Sequence, residues 1–180
     1  MAKETGLRAV ALRPCVLYGE WDRHFAPRVA RALRRGLAPL IGRGDNLLSV
    51  VYAGNVAAAA MAALDRPAVT GPFNVANDGG VTQRAFLEHF AAGLGVPARW
   101  LPVPHALAWR AAQLWDVTIG ALPLPSSLLP IKSAVQFLAS DNPYTSAKAE
   151  RELGWRPPVR PGDAVERTAR SLRPGAPRGP

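Results

Sequence analysis

The chain has 180 residues, 48% hydrophobic and 19% charged, a composition typical of a soluble globular protein with room for one real core. Its formal net charge is +9, yet nearly all of the 22 basic residues are arginines spread along the chain. Abundant arginine, alanine and proline also follow from GC-rich coding, and no aromatic residues interleave with the arginines, so we expect no nucleic-acid partner. The single cysteine, Cys15, excludes an internal disulfide, and no signal peptide is recognisable, so we expect a cytoplasmic protein.

Metal binding and membrane insertion are also disfavoured. Three scattered histidines and one cysteine form no ligand cluster at metal-site spacing, so we expect no metal. The apolar run at residues 117–131, VTIGALPLPSSLLPI, is short for a membrane span and contains three prolines. It favours a loop with a buried helix over a contact with a membrane surface.

The predicted elements alternate between strands and helices along the chain. Residues 7–19 read as a strand that emerges into a loop, and residues 23–36 as a helix that ends at Gly36. Next come a turn at 42–46, a strand at 47–53, a helix at 55–64 capped by Asn55, and a strand at 71–77. A helix at 81–95, capped by Thr82, is followed by a strand-like piece at 99–104. The last predicted elements are a proline-interrupted helical region at 105–139, rich in tryptophan and leucine, and helices at 144–153 and 163–172. This alternation predicts an α/β domain.

One short motif suggests catalysis at once. Tyr144 and Lys148 have the spacing Y-x-x-x-K, and residues four apart share a helix face, where a lysine ammonium favours the tyrosinate. This is the spacing of the catalytic pair in short-chain dehydrogenases. The alternative is an ordinary surface helix, since a two-residue pattern often arises by chance.

Four longer segments occur in a definite order: LRPCVLYG at 12–19, LLSVVYAGNVAAAAMAAL at 47–64, GPFNVAND at 71–78 and YTSAKAERELGWRPPV at 144–159. Together they resemble the extended short-chain dehydrogenase/reductases, the NAD(P)-dependent epimerase/dehydratase superfamily. The asparagine at position 55 resembles the 3β-hydroxysteroid dehydrogenase branch of this superfamily, since the sugar-nucleotide branch usually has aspartate at that position. The resemblance implies a Rossmann-like fold with a small, mostly helical substrate-binding region.

The resemblance also implies that part of such an enzyme is missing from this sequence. Family members begin with a strand and a Gly-x-x-Gly-x-x-Gly turn that approaches the cofactor pyrophosphate, and none is found here. The G-x-G-x-x-A at 93–98 ends a helix where the fingerprint must begin one. The family's catalytic Y-x-x-x-K precedes the segment at 12–19, whereas Tyr144 and Lys148 follow it, inside the closing signature. We therefore expect a C-terminal half at residues 1–172, with a disordered tail at 173–180.

The resemblance assigns two sets of site residues. The nicotinamide end of an NAD or NADP site, incomplete here, would involve Pro14, Cys15, Val16 and Leu17. The substrate pocket would be shaped by Trp21, His24, Tyr52 and Asn55, together with the region around Trp109 and Trp115. Each assignment has a structural alternative: Pro14 ends a strand, and the tryptophans pack in a core.

Three functions remain open from the sequence. The first is an NAD(P)-dependent oxidoreductase acting on a hydroxyl or ketone of an apolar, steroid-like substrate, inactive as this chain alone. The second is a non-catalytic ligand-binding module, or one that completes a separate N-terminal half. The third is half of a nucleotide-sugar epimerase or dehydratase. Strands at 7–16 and 48–52, expected to share a sheet that lacks its central strands, predict self-association through exposed edges.

Overall fold

The computed structural model of the chain describes residues 9–76, 78–119 and 131–176. Within them lie six strands and seven helices. In chain order they are β1 (Val10–Pro14), β2 (Val16–Tyr18), α1 (Phe25–Arg34), β3 (Ala38–Ile41), β4 (Val50–Tyr52), α2 (Ala53–Leu64), β5 (Gly71–Val75), α3 (Gln83–Leu94), β6 (Trp100–Val103), α4 (His105–Ile119), α5 (Ile131–Ala139), α6 (Ala147–Leu153) and α7 (Pro161–Ser171).

All the strand pairs of the described residues are parallel. β1 pairs with β5, β2 with β4, and β3 with β6. Parallel neighbours require crossover connections, and each of these pairs is joined through at least one helix. The predicted α/β class is therefore confirmed.

The single strand expected at residues 7–19 is in fact two strands. A bend at Cys15 separates β1 from β2, and the two strands then pair in different sheets. The expectation that residues 7–16 and 48–52 share one sheet holds only for Val16, which pairs with Val50, because β1 itself pairs with β5. Residues 7 and 8 lie outside the described part of the chain.

β3 was not predicted at all. It is a four-residue strand with Pro39 inside it, flanked by Gly36 and Gly42 in the left-handed region, so the local sequence reads as a loop. The pairing with β6, a partner far along the chain, makes it a strand. Its Ala38 and Leu40 are buried.

Helix ends are set by side-chain caps and by glycine. Asp22 accepts hydrogen bonds from the backbone N–H groups of His24, Phe25 and Ala26, and so satisfies the first turn of α1. The predicted cap of α3 is confirmed, since the Thr82 hydroxyl accepts from the Ala85 N–H at 3.2 Å. Gly95 ends that helix with φ 74°.

Three predicted helix starts were wrong. α2 begins at Ala53, so Asn55 lies inside its first turn and does not cap it. α6 begins at Ala147 rather than at residue 144. α7 begins at Pro161, two residues before the predicted start, because proline suits the first turn, where its missing N–H has no helical partner.

The core consists of three clusters. The largest joins β2, β4, α1, α3 and α7 around Tyr18, Phe86 and Phe90. The second lies between the β1–β5 pair and helices α2 and α6, and includes Phe73 and Trp155. The third joins α4 and α5 through Ala112 and Val135.

The apolar run at 117–131 falls largely on residues 120–130, which lie outside the described part, as do residues 177–180 of the predicted tail. Among the described helices, none combines the length and the hydropathy needed to cross a bilayer.

The close contact between α3 and α7 gives a test of the packing. A Cβ built on Gly93 would lie 2.6 Å from both the Ala169 Cβ and the Glu166 carbonyl oxygen. We expect Gly93→Ala to lower the free energy of unfolding by about 1–3 kcal/mol, because the two helices must move apart. Urea unfolding followed by circular dichroism measures this. The exposed neighbour Ala92→Ser should change it by less than about 0.5 kcal/mol, and equal stability of the two variants would contradict the packing.

Candidate functional site

The residues assigned to the nicotinamide end lie where β1 ends. Val16 and Leu17, which follow the bend, are 38% and 44% exposed although both are large and apolar. The carboxyl end of a parallel strand is where α/β folds form their ligand crevices. Cys15 is half-buried, and its thiol donates to the Ala76 carbonyl at 3.4 Å. Burial raises the pKa of Cys15 to about 12, so it remains a thiol near neutral pH and serves no nucleophilic role there.

β2 and the loop that follows it border two cavities of different character. Val16 lines a cavity of about 480 Å³, whereas Leu17 and Tyr18 line one of about 870 Å³. His24 lines both cavities.

We call the larger cavity the polar cavity because an ion pair lies in it, although apolar atoms form most of its lining. The Tyr52 hydroxyl donates to the Glu20 carboxylate at 2.8 Å, and Arg167 Nε lies 2.7 Å from Glu20 Oε1. Burial, and next the hydrogen bond to Glu20, raise the pKa of Tyr52 to about 12. Tyr52 therefore keeps its proton near neutral pH and can donate it only in a hydrogen bond. Trp21, 63% exposed, also lines this cavity.

Tyr18 is a buried tyrosine with an unusual hydroxyl. The residue is 1% exposed, and its hydroxyl has no hydrogen-bond partner among the described residues. Its ring contacts Phe86 edge-on and Tyr52 at a tilt. Burial raises its pKa, and the charge of Asp78 raises it further, so Tyr18 too is neutral at ordinary pH.

The smaller cavity is almost wholly apolar. It lies between α1, α3 and α5, and among the described residues its polar lining consists of His24, Arg28, Gln83 and Ser133. Its aromatic wall is a chain of ring contacts in which Phe25 touches both Phe86 and Phe137. The remaining lining residues are Val16, Val29, Ala32, Leu33, Leu37, Pro39, Leu48, Leu87, Ala134 and Leu138.

Asn55 is buried away from both cavities. Its side-chain nitrogen donates to Asp78 Oδ2 and to the Val159 carbonyl, both at 2.8 Å, and its side-chain oxygen accepts from the Val159 N–H at 3.1 Å. Its backbone carbonyl accepts from the Trp155 indole at 3.0 Å. Asp78 also accepts from the Tyr52 N–H. In this structure Asn55 fastens α2 to the closing segment, residues 144–159; contact with a substrate stays a prediction.

Of the predicted site residues, the structure brings Leu17, Trp21, His24 and Tyr52 to the polar cavity and Val16 and His24 to the apolar one. Pro14 and Cys15 lie at the end of β1, outside the lining of both. Trp109 and Trp115 belong to α4, where Trp109 stacks on His105, and they line neither cavity.

Sequence reasoning missed several lining residues. Glu20 and Arg167 lie far apart in sequence, and no local pattern connects them. Phe25 and Val29 could have been found, because they recur at helical spacing on the inward face of α1.

The Tyr144–Lys148 spacing does not place the two side chains on one helix face. Tyr144 precedes α6 by three residues, so it lies outside the helix that contains Lys148. Lys148 Nζ donates to the Pro72 carbonyl at 3.0 Å and lies 4.3 Å from the centre of the Phe73 ring. The structural interpretation of the pair, which follows from its position in the closing signature, stays a prediction.

Solved structures show the same architecture. Human epimerase family protein SDR39U1 (isoform 2), solved with NADPH, superposes with a TM-score of 0.66 at 21% identity, over 92% of this chain and 50% of that one. UDP-N-acetylglucosamine 4-epimerase from Bacillus cereus gives 0.62 at 18% identity, over 93% and 48%. The fold is thus the Rossmann-like α/β fold of the extended short-chain dehydrogenase/reductases.

Sequence comparison narrows this class further. The model of the 3-beta hydroxysteroid dehydrogenase/isomerase family matches residues 1–100, and the chain belongs to that family. It is 28% identical to a 2-alkyl-3-oxoalkanoate reductase of Shewanella oneidensis, over 92% of this chain and 44% of the relative. It is also 28% identical to the decarboxylating sterol-4-alpha-carboxylate 3-dehydrogenase of Mus musculus, over 90% and 47%. The chain spans about half the length of these relatives.

The family binds NAD(P). In this chain, exposed Val16 and Leu17 offer an apolar surface at the end of β1. The sequence contains no Gly-x-x-Gly-x-x-Gly turn to receive a pyrophosphate. A site for the nicotinamide end at residues 14–17 stays a prediction.

The Asn55–Asp78 contact predicts that acid should partly restore the stability of one variant. Asn55→Asp removes two donated hydrogen bonds and sets a second carboxylate beside Asp78, so we expect a loss of roughly 3–5 kcal/mol at neutral pH. Below about pH 5 a proton shared between the two carboxyls should relieve the repulsion, and the variant should regain part of that stability.

Urea unfolding of the variant and the wild type at a series of pH values measures the effect. Asn46→Asp is the matched control, since Asn46 donates to the Leu138 and Ser140 carbonyls. It should lose less stability and recover less in acid, because its partners are carbonyl oxygens and not a second carboxylate. An Asn55→Asp variant as stable as wild type at neutral pH would refute the arrangement.

Proposed function

We propose that this chain supplies the substrate pocket and part of the nicotinamide site of an NAD(P)-dependent oxidoreductase. Its substrate carries a hydroxyl or ketone on an apolar, steroid-like body. The observation that carries the proposal is the apolar cavity, which begins at Val16, next to the end of β1. A substrate in that cavity would have one end near the nicotinamide position.

The chemistry of the lining favours this substrate over a nucleotide sugar. A sugar nucleotide presents two phosphates and several hydroxyls, which call for many donors. The cavity has aromatic and aliphatic walls and few polar groups. Its volume lies within the range of small-molecule pockets. The named relatives act on sterol carboxylates and on 2-alkyl-3-oxoalkanoates, which agrees with an apolar body.

The chain's own residues orient rather than catalyse. Tyr18 and Tyr52 both have raised pKa values, so neither passes easily through the tyrosinate near neutral pH. The exposed residues at the end of β1 hold only the nicotinamide end of a cofactor. The chain by itself is therefore proposed to bind NAD(P) weakly and to turn nothing over.

The test combines binding with turnover on the purified 180-residue chain. With dehydroepiandrosterone and NAD⁺ or NADP⁺ we expect steroid binding by calorimetry but no reduced nicotinamide. Phe137→Ala, in the aromatic wall, should weaken steroid binding about tenfold or more, because a packed ring is lost. Leu114→Ala, on α4 and 67% exposed, is the control and should bind as wild type does. Turnover would overturn the inactivity of the chain, and absent binding would overturn the pocket.

A second candidate is a module that completes a separate dinucleotide-binding half. The observation behind it is that, in the described residues, β1 pairs only with β5 and leaves its other edge open. An open parallel edge can accept a further strand, from a partner half or from another copy.

Sequencing the DNA upstream of the Met1 codon separates the two candidates. An in-frame glycine-rich turn followed by Y-x-x-x-K would favour the oxidoreductase and count against a separate half. A stop codon with a ribosome-binding site, together with a monodisperse and cooperatively melting chain, would favour the module.

A further inference from the structure

We propose that a small pocket at the C-terminal end of α1 binds a phosphate group, free or carried on a small organic molecule, through Arg31, Arg34 and Arg35. The pocket has a volume of about 330 Å³ and lies where the ends of α1 and α7 meet. Its described lining consists of Pro27, Ala30, Arg31, Arg34, Arg35 and Leu172, and none of these residues belongs to the described lining of the polar or the apolar cavity. The pocket is thus a second ligand site, separate from the one in the proposed function.

The spacing of the three arginines places their charges on one side of α1. Arg35 follows Arg31 by four residues and Arg34 follows it by three, so the side chains are neighbours on the helix surface. All three residues are exposed. A guanidinium carries several N–H donors in one plane and binds phosphate oxygens through paired, charge-assisted hydrogen bonds. Three such groups can bind different oxygens of the same phosphate.

The positive charge of this pocket has no counter-charge among the described residues. The described lining contains no aspartate or glutamate. Within the described part of the chain, Arg31 and Arg35 take part in no ion pair and no side-chain hydrogen bond. Like charges three or four residues apart destabilise a helix. A bound anion would relieve that repulsion.

The acidic residues of the neighbouring helices are engaged elsewhere or lie outside the pocket. On α7, Glu166 is already paired with His89 and Arg170. Asp163 lies in the first turn of α7, whereas the pocket meets that helix at its other end. Glu88, on α3, is not among the described lining residues. An anion in the pocket would therefore face arginines and no carboxylate of its lining.

Neither coding bias nor helix electrostatics accounts for this arrangement. GC-rich coding raises the number of arginines but does not gather three of them around one pocket. The C-terminus of a helix carries about half a negative charge, which favours cations nearby. Arg34 uses this effect when its Nη2 donates to the Leu172 carbonyl at the end of α7, at 2.6 Å. That partial charge leaves most of the charge of three guanidinium groups uncompensated.

The remaining lining offers a surface for an organic group attached to the phosphate. Pro27, Ala30 and Leu172 are apolar and lie in the same pocket as the arginines. Small-molecule sites commonly combine apolar walls with a few polar groups that fix the orientation of the ligand. A phosphate ester could thus place its charged end on the arginines and its organic end on this surface.

Isothermal titration calorimetry of the full 180-residue chain with inorganic phosphate, at an ionic strength held constant with chloride, tests the site. We expect one site with a dissociation constant of about 1 mM or lower. Arg31→Gln and Arg35→Gln should each weaken binding about tenfold or more, and Arg31→Lys should keep part of the affinity. Arg110→Gln is the matched control, because it removes an exposed helical arginine outside the pocket, and it should bind phosphate as the wild type does.

Thermal unfolding followed by circular dichroism separates ligand binding from a structural role. In phosphate-free buffer both glutamine variants should melt within about 2 °C of the wild type, since each removes a repulsion and no contact within the chain. Phosphate should raise the melting temperature of the wild type and leave that of the two variants unchanged. Variants that are already destabilised without phosphate would show a structural role and overturn the site.

Phenyl phosphate distinguishes the two sources of the phosphate group. Tighter binding of phenyl phosphate than of inorganic phosphate indicates an ester whose organic group contacts the apolar lining, and equal binding indicates the free ion. Absence of binding by both, unchanged binding in the glutamine variants, or an equal response to chloride overturns the phosphate site. None of these results affects the apolar cavity, which steroid binding tests separately.

Discussion

The buried amide of Asn55 is the constraint on which the architecture depends. Its nitrogen reaches residues 23 and 104 positions further along the chain, and its backbone carbonyl receives the Trp155 indole. Asp78, 3% exposed, would be an uncompensated buried charge without this amide and the Tyr52 N–H. Asn55 thereby holds three segments together where β4 ends and α2 begins: the start of α2, the loop at Asp78 and residues 155–159. The position of Tyr52, which lines the larger cavity, follows from that junction.

The two cavities also differ in their charged groups. Tyr52 and Arg167 both contact the Glu20 carboxylate, so an ion pair lies in the polar cavity. In the apolar cavity Phe25 contacts Phe86 and Phe137, and the described lining contains no carboxylate. His24 is the residue that the two described linings share.

The sequence predicted well what local chemistry decides. Thr82 and Gly95 bound α3 as expected, and the four family segments identified the fold. The sequence did not predict features that depend on residues far apart along the chain. β3 exists only because β6 lies beside it, and Asn55 looks like a helix cap although its partners are Asp78 and Val159. Most residues that line the cavities were not predicted for the same reason, since Glu20 and Arg167, for example, meet only in the folded chain.

The parallel pairing of the strands also has a kinetic consequence. Val10 pairs with Gly71, Val16 with Val50 and Ala38 with Trp100, so every pair closes a long loop and no hairpin can form early. Such high contact order slows folding, because chain entropy is lost before any pairing is gained. During synthesis β1 emerges several dozen residues before its partner β5. A nascent chain therefore exposes an unpaired strand for that interval, and an unpaired strand edge is prone to aggregation.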